Sequence, residues 1–303
     1  MTRRAVSLRA VVLVSLAASA ALVLSACSSG GADGIASAPA SAASDGSSPG
    51  PAIEVGSGVT HIHNLSLDGD RLLLGTHEGL WQQVAGEEPS ALSSDPFDVM
   101  GFALGSDRWL ASGHPGEGMD APSDLGLLES RNGGVDWEVV SLSGEVDFHR
   151  LVTSGDTVLG LSAHDGMLLR SADAGQTWTD LGTPPLYDLA VSPADPALVV
   201  GTSEAGPVAS SDGGATFTPV EGAPLIALLA WDPAALYGVG VDGTVFVSDD
   251  SGATWTALGS AGGQPAAVAA GGSRIVVLTE GTVVESTDGG RTFAPRLTGL
   301  EGH

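Results

Sequence analysis

The chain has 303 residues, with 36 Asp and Glu against 11 Arg and no Lys, 44 Gly and a single Cys. A formal charge of −25 leaves no basic face for phosphate backbones or anionic headgroups, so nucleic-acid binding is excluded. One Cys excludes a disulfide framework and a Cys-based zinc module, and Gly at about twice its average share points to a fold with many tight turns.

Arg3, Arg4 and Arg9 form a basic start, and 10–24 is an uncharged, largely apolar run of 15 residues. That is short for a membrane span, which needs about 20. Leu24-Ser25-Ala26-Cys27 then places small residues before the only Cys. The pattern resembles the bacterial lipoprotein signal, with an ordinary secretory peptide as the alternative. The resemblance implies a signal peptide over 1–26, lipidation of Cys27 and anchorage on the outer face of the cell membrane. The body then carries eight Arg against 36 acids, a formal charge of −28. Residues 28–52 are almost wholly Ser, Ala, Gly, Pro and Asp. They cannot bury enough apolar surface to order themselves, so 27–52 reads as a disordered tether with a reach of roughly 28 Å.

From residue 53 to 303 the chain repeats. Ser130–Trp137, Ser171–Trp178, Ser210–Phe217, Ser248–Trp255 and Ser286–Phe293 start 41, 39, 38 and 38 residues apart and share Ser-x-Asp-x-Gly-x-Thr-(Trp/Phe). Asp173, Asp212, Asp250 and Asp288 can accept backbone N–H groups of their own turns, and Gly supplies positive φ. Trp137, Trp178, Phe217, Trp255 and Phe293 are expected as buried anchors between sheets. The first copy departs, with Asn132 for Asp and Asp136 for Thr, which is expected to weaken that turn.

Apolar runs phase with the motif. Expected inner strands are 62–65, 99–102, 151–152, 189–191, 226–230 and 266–269, each followed by a second and a third run. Six units can be counted, the first without a recognisable motif.

These segments resemble Asp-boxes, or BNR repeats, of sialidases, sortilin-like proteins and photosystem assembly factors. The resemblance implies an all-β, six-bladed β-propeller, a seven-bladed ring being the alternative, with each box between the third and outermost strands of a blade. Bacterial lipoproteins of this layout are often labelled glycosyl hydrolases. The sialidase catalytic set does not carry over. Of the eight Arg outside the signal only Arg150 starts an inner strand, so a three-Arg clamp is missing. A different glycoside hydrolase, built on a carboxylate pair such as one including Asp98, stays open.

Propeller geometry puts inner-strand starts and second-to-third-strand turns on one face, and the motif turns on the other. His61, His63, His77, His114, His149 and His164 all map to the first face, in units one to three. His-x-His at 61 and 63 places two imidazoles on one side of a regular strand. His61, His63, His77, His114 and His149 are the candidate metal ligands, with Asp98, Met100 and Glu78 as further ligand-binding candidates. Imidazoles suit zinc, copper, iron or nickel, and a thioether tilts the set toward copper. The long insertion 112–124 lies on the same face. The expected function is an exported propeller whose His-rich face binds copper, zinc or a small ligand. The alternatives are a glycoside hydrolase and an interaction module, and a metal ion, a glycan or a basic protein is the expected partner, the acidic surface suiting a basic one. A monomer is expected.

Overall fold

A computed structural model describes residues 52–56, 59–93 and 96–300. The signal peptide, Cys27 and nearly all of the tether lie outside the described residues. Among the described residues there is no helix, and so none that is long and apolar enough to cross a membrane.

Six antiparallel four-stranded sheets follow one another along the chain. Their inner strands are Ile62–Asp68, Asp98–Leu104, Phe148–Ser154, Asp188–Val191, Ile226–Asp232 and Pro265–Gly271. Each packs beside the next, and the first beside the last, so the sheets close into a six-bladed β-propeller. The alternative of seven blades is excluded. The inner strand of the third blade starts at Phe148, three residues earlier than the apolar run alone indicated.

Closure uses the chain's own start. Ile53–Glu54 adds a parallel fifth strand to the last blade, with Ile53 opposite Leu297. Second strands such as Arg71–Thr76 and Arg274–Thr279 are covered on both faces by neighbouring blades, which is why they read as unbroken apolar runs rather than as alternation. Leu72, Leu73 and Leu74 are each fully buried. The apolar core is accordingly divided into six clusters, one per seam between blades.

The motif aromatics fill five of those seams. Trp137 packs with Leu73 and Leu80, Trp178 with Phe148, Phe217 with Leu159 and Leu168, Trp255 with Val200, and Phe293 with Val239 and Val245. The sixth seam, between last and first blades, has no motif aromatic. There the buried Arg296 donates to Gln83 Oε1 at 2.6 Å, to Gln83 O at 3.0 Å and to Glu285 Oε1 at 3.3 Å. Burial works to lower the Arg296 pKa, against the charge of Glu285.

Each motif turn is a closed network. In the third blade Ser171 Oγ donates to Asp173 Oδ1 at 2.8 Å and accepts from Gly175 N at 2.8 Å. Asp173 then accepts from Thr177 N at 2.8 Å and Thr177 Oγ1 at 2.7 Å. The turns at Asp212, Asp250 and Asp288 repeat this pattern. Gly175 has φ of 87°, and a Cβ there would stand 2.1 Å from Leu127 Cδ2, so only Gly fits. The first copy is not a depleted version. Asn132 Nδ2 donates to Asp136 Oδ2 at 2.7 Å while Asn132 Oδ1 accepts from Asp136 N at 3.0 Å. Exchanging both residues reverses one donor and keeps every bond.

Candidate functional site

Because the strands of a blade alternate in direction, inner-strand starts and second-to-third-strand turns share one rim, and the motif turns lie on the opposite one. All six described His residues are on the first rim. Its backbone carries a recurring irregularity: the pairing of inner and second strands shifts by one residue between Ile62 and Asn64, Val99 and Gly101, Phe148 and Arg150, Ile226 and Leu228, and Pro265 and Ala267. The extra residues are His63, Met100, His149, Ala227 and Ala266. A bulge turns its residue out of the ladder and re-aims the side chain. His61 and His63 are therefore not alternate residues of a regular strand, as the sequence pattern suggested, and His61 has φ of 45°.

The His residues and their partners fall into two groups. In the first, the inner strand of the first blade brings His63 and its second turn brings His77 to Asp98, which opens the second blade. Asp98 Oδ2 lies 2.7 Å from His77 Nδ1 and Oδ1 lies 3.3 Å from His63 Nε2. The two rings meet edge to face at 4.7 Å, and His61 meets His77 edge to face at 5.1 Å. Burial acts to raise the Asp98 pKa, but the His63 hydrogen bond and the charges of both imidazoles outweigh it and hold the carboxyl below its ordinary value.

The second group joins the second and third blades. Asp147 is 1% exposed, and its Oδ2 lies 2.8 Å from His149 Nε2 and 3.4 Å from His114 Nε2. Asp147 Oδ1 is buried without a hydrogen-bond partner. His114 Nδ1 is 2.8 Å from the carbonyl of Ser123, which can only accept, so that nitrogen carries the proton. The lone pair of Nε2 then faces a carboxylate, acceptor against acceptor. The pair is at rest only with a cation between them, either a proton on Nε2 or a metal ion. Asp124 lies 3.9 Å from His114 Nδ1 and 3.2 Å from His164 Nε2, tying the long insertion to the third blade.

Within each group, one donor atom from each of the three residues lies within 4.8 Å of the others. Two imidazoles and one carboxylate suit zinc, copper or iron and leave coordination positions open. The groups are neighbours, since Asp98 and His114 are paired residues of one ladder. Glycine is required here both within the second blade and between blades: a Cβ on Gly113 would lie 1.8 Å from the carbonyl oxygen of Asp98 in the same blade, and one on Gly101 would lie 2.2 Å from that of Phe148 in the third blade.

Of the sequence-derived candidates, His63, His77 and Asp98 converge in one group, and His114 and His149 in the other. His61 meets the first group through an edge-to-face ring contact with His77. Glu78 accepts instead from Thr60 N at 3.3 Å and from Thr60 Oγ1. Met100 occupies the bulge of the second blade, and its carbonyl accepts from Asn64 Nδ2 at 2.6 Å. Asp147 and Asp124 escaped the sequence reading. The signal for Asp147 was Asp147-Phe148-His149 aligned beneath His61-Ile62-His63, hidden because the third inner strand was read as starting at Leu151.

A central cavity of about 800 Å3 runs between the inner strands, and His63 is the only His lining it. Arg150 Nε lies 3.1 Å from Asp188 Oδ1, and Leu229 N donates to Asp188 Oδ2 at 2.7 Å. Burial raises the Asp188 pKa, against the Arg150 charge and the Leu229 N–H.

No protein-family model and no curated protein matches the chain. Solved structures do. A chain of a nidogen/laminin complex is similar with a TM-score of 0.59 at 11% identity, over 76% of this chain and 94% of that one. The GH74 xyloglucanase from Xanthomonas campestris gives 0.53 at 16%, over 81% of this chain but only 46% of its own. YCF48 bound to D1 peptide gives 0.50 at 18%, over 82% and 84%. At such identities the likeness establishes the β-propeller fold and nothing of the chemistry.

Proposed function

We propose that this chain is an exported, lipid-anchored propeller of the Asp-box type whose first rim binds a transition-metal ion, zinc or copper. The observation that carries the reading is the His114–Asp147–His149 group. A carboxylate in a buried position keeps one oxygen without a partner and faces an imidazole lone pair with the other. A divalent ion answers both demands at once. His63, His77 and Asp98 form the neighbouring, second candidate set. The lipoprotein-like start at Cys27 supports placing the domain outside the cell membrane.

Calorimetric titration of the purified, metal-stripped protein with zinc and with copper tests the metal reading. Saturable binding that is lost in both His114→Ala and His149→Ala is expected. No binding, or binding unchanged in both variants, overturns it.

A further inference from the structure

Past the His-bearing blades the same rim changes character. At the seam between the third and fourth blades, the turn after Ser162, the connection into Asp188 and the turn after Ser203 enclose a cavity of about 420 Å3. Pro184, Pro185, Leu186 and Tyr187 form an apolar wall, and the charged residues lining it are Asp165 and Glu204. No cation lines it. Tyr187 is 62% exposed. Asp165 Oδ1 already accepts from Met167 N at 3.1 Å, a bond that fixes its carboxylate in place.

We propose that this cavity receives an Arg or Lys side chain from an extended segment of a partner polypeptide. A long cationic side chain has an apolar stem and a charged tip, and the cavity offers that pair of surfaces: prolines and a tyrosine ring for the stem, two carboxylates for the tip. An uncharged apolar residue would leave both carboxylates facing it without compensation. The charge of the whole molecule, −25 with no Lys, attracts cationic segments in general, and the two carboxylates mark where one would settle. The inference is independent of metal binding, since none of its residues belongs to either His group.

The test is an NMR titration of the isotope-labelled protein with the peptide Ala-Pro-Arg-Pro-Ala and with its norleucine counterpart. Saturable shifts confined to the backbone amides of Gly166, Tyr187 and Ala205 are expected. Affinity should be about tenfold weaker for the norleucine peptide, a difference of ~1.4 kcal/mol, and weaker again at high salt. Glu204→Gln and Tyr187→Ala should each weaken the Arg peptide several-fold, while Gln264→Ala leaves it unchanged. Equal affinity for both peptides, no shifts, or shifts unaltered by Glu204→Gln would overturn the proposal. A concentration-dependent dimer that disappears in Tyr187→Ala would also overturn it, by assigning the surface to a second copy of the chain.

Discussion

The two rims of this propeller are built on opposite plans. On the motif rim, five turns repeat one hydrogen-bond network almost atom for atom, and even the divergent copy at Asn132 preserves it. On the other rim the backbone repeats, with a bulge in five inner strands, but the side chains do not. The bulge residue and the one two before it are His63 and His61, Met100 and Asp98, and His149 and Asp147 in the first three blades, then Ala227 and Leu225, and Ala266 and Gln264 in the last two. A residue that serves the fold recurs from blade to blade, in five of the six here, because each turn needs the same bonds. A residue that serves a site is present only where the site is.

That contrast predicts a double dissociation. The largest effect belongs to Asp147→Asn, which should cost about a hundredfold in zinc or copper affinity, ~2.7 kcal/mol, with the melting temperature of the metal-free protein unchanged or raised. Gln264→Ala, at the corresponding position of the last blade, should alter neither. On the motif rim, Gly175→Ala should destabilise the fold by about 2 kcal/mol, because it forces Ala into left-handed backbone and drives a methyl against Leu127. Calorimetric unfolding should show that loss with metal affinity intact.

Acid acts on both rims, since Asp98 is held down too, but the strongest depressions lie on the motif rim. The Asp173, Asp212 and Asp288 carboxyls are held down to about 2. Bonds from the Thr side chain and backbone cause this at Asp173 and Asp212, and the Thr292 backbone leads at Asp288. A folded-state pKa depressed from 3.8 contributes stability that is present above that value and is lost as pH falls toward 2. Unfolding monitored by far-UV circular dichroism should therefore show stability falling across that window, and Asp173→Asn should flatten the dependence. The smallest effect is expected at Ala174, whose φ of 64° is left-handed. Ala174→Gly should stabilise by ~0.5–1 kcal/mol, read as a higher melting temperature, without touching the metal site.

Much of the fold was legible from residues alone, because a phased aromatic anchor and a Ser-Asp-Gly-Thr turn carry their own physics. The turns account for five blades, and the sixth followed from the apolar runs of the first unit, which has no motif. The bulges were not legible, since a one-residue shift in pairing leaves no mark in an apolar run such as Ile62–Leu65. That is also why Asp147 was missed: a carboxylate two residues before a His looks like loop until the strand is known to begin between them. The closing Arg296–Gln83–Glu285 network was hidden as well, because it joins residues 213 positions apart. Met100 and Glu78 were chosen by position in the repeat, and position alone did not reveal that Glu78 is turned to Thr60.

The account's central claim is that the His114–Asp147–His149 group holds a metal ion. Crystals soaked in zinc and recorded on both sides of the zinc absorption edge test it most directly. The account predicts an anomalous peak bonded to His114 Nε2, His149 Nε2 and an Asp147 oxygen, absent in Asp147→Asn. No peak at that group, or an undiminished peak there in Asp147→Asn, would contradict it.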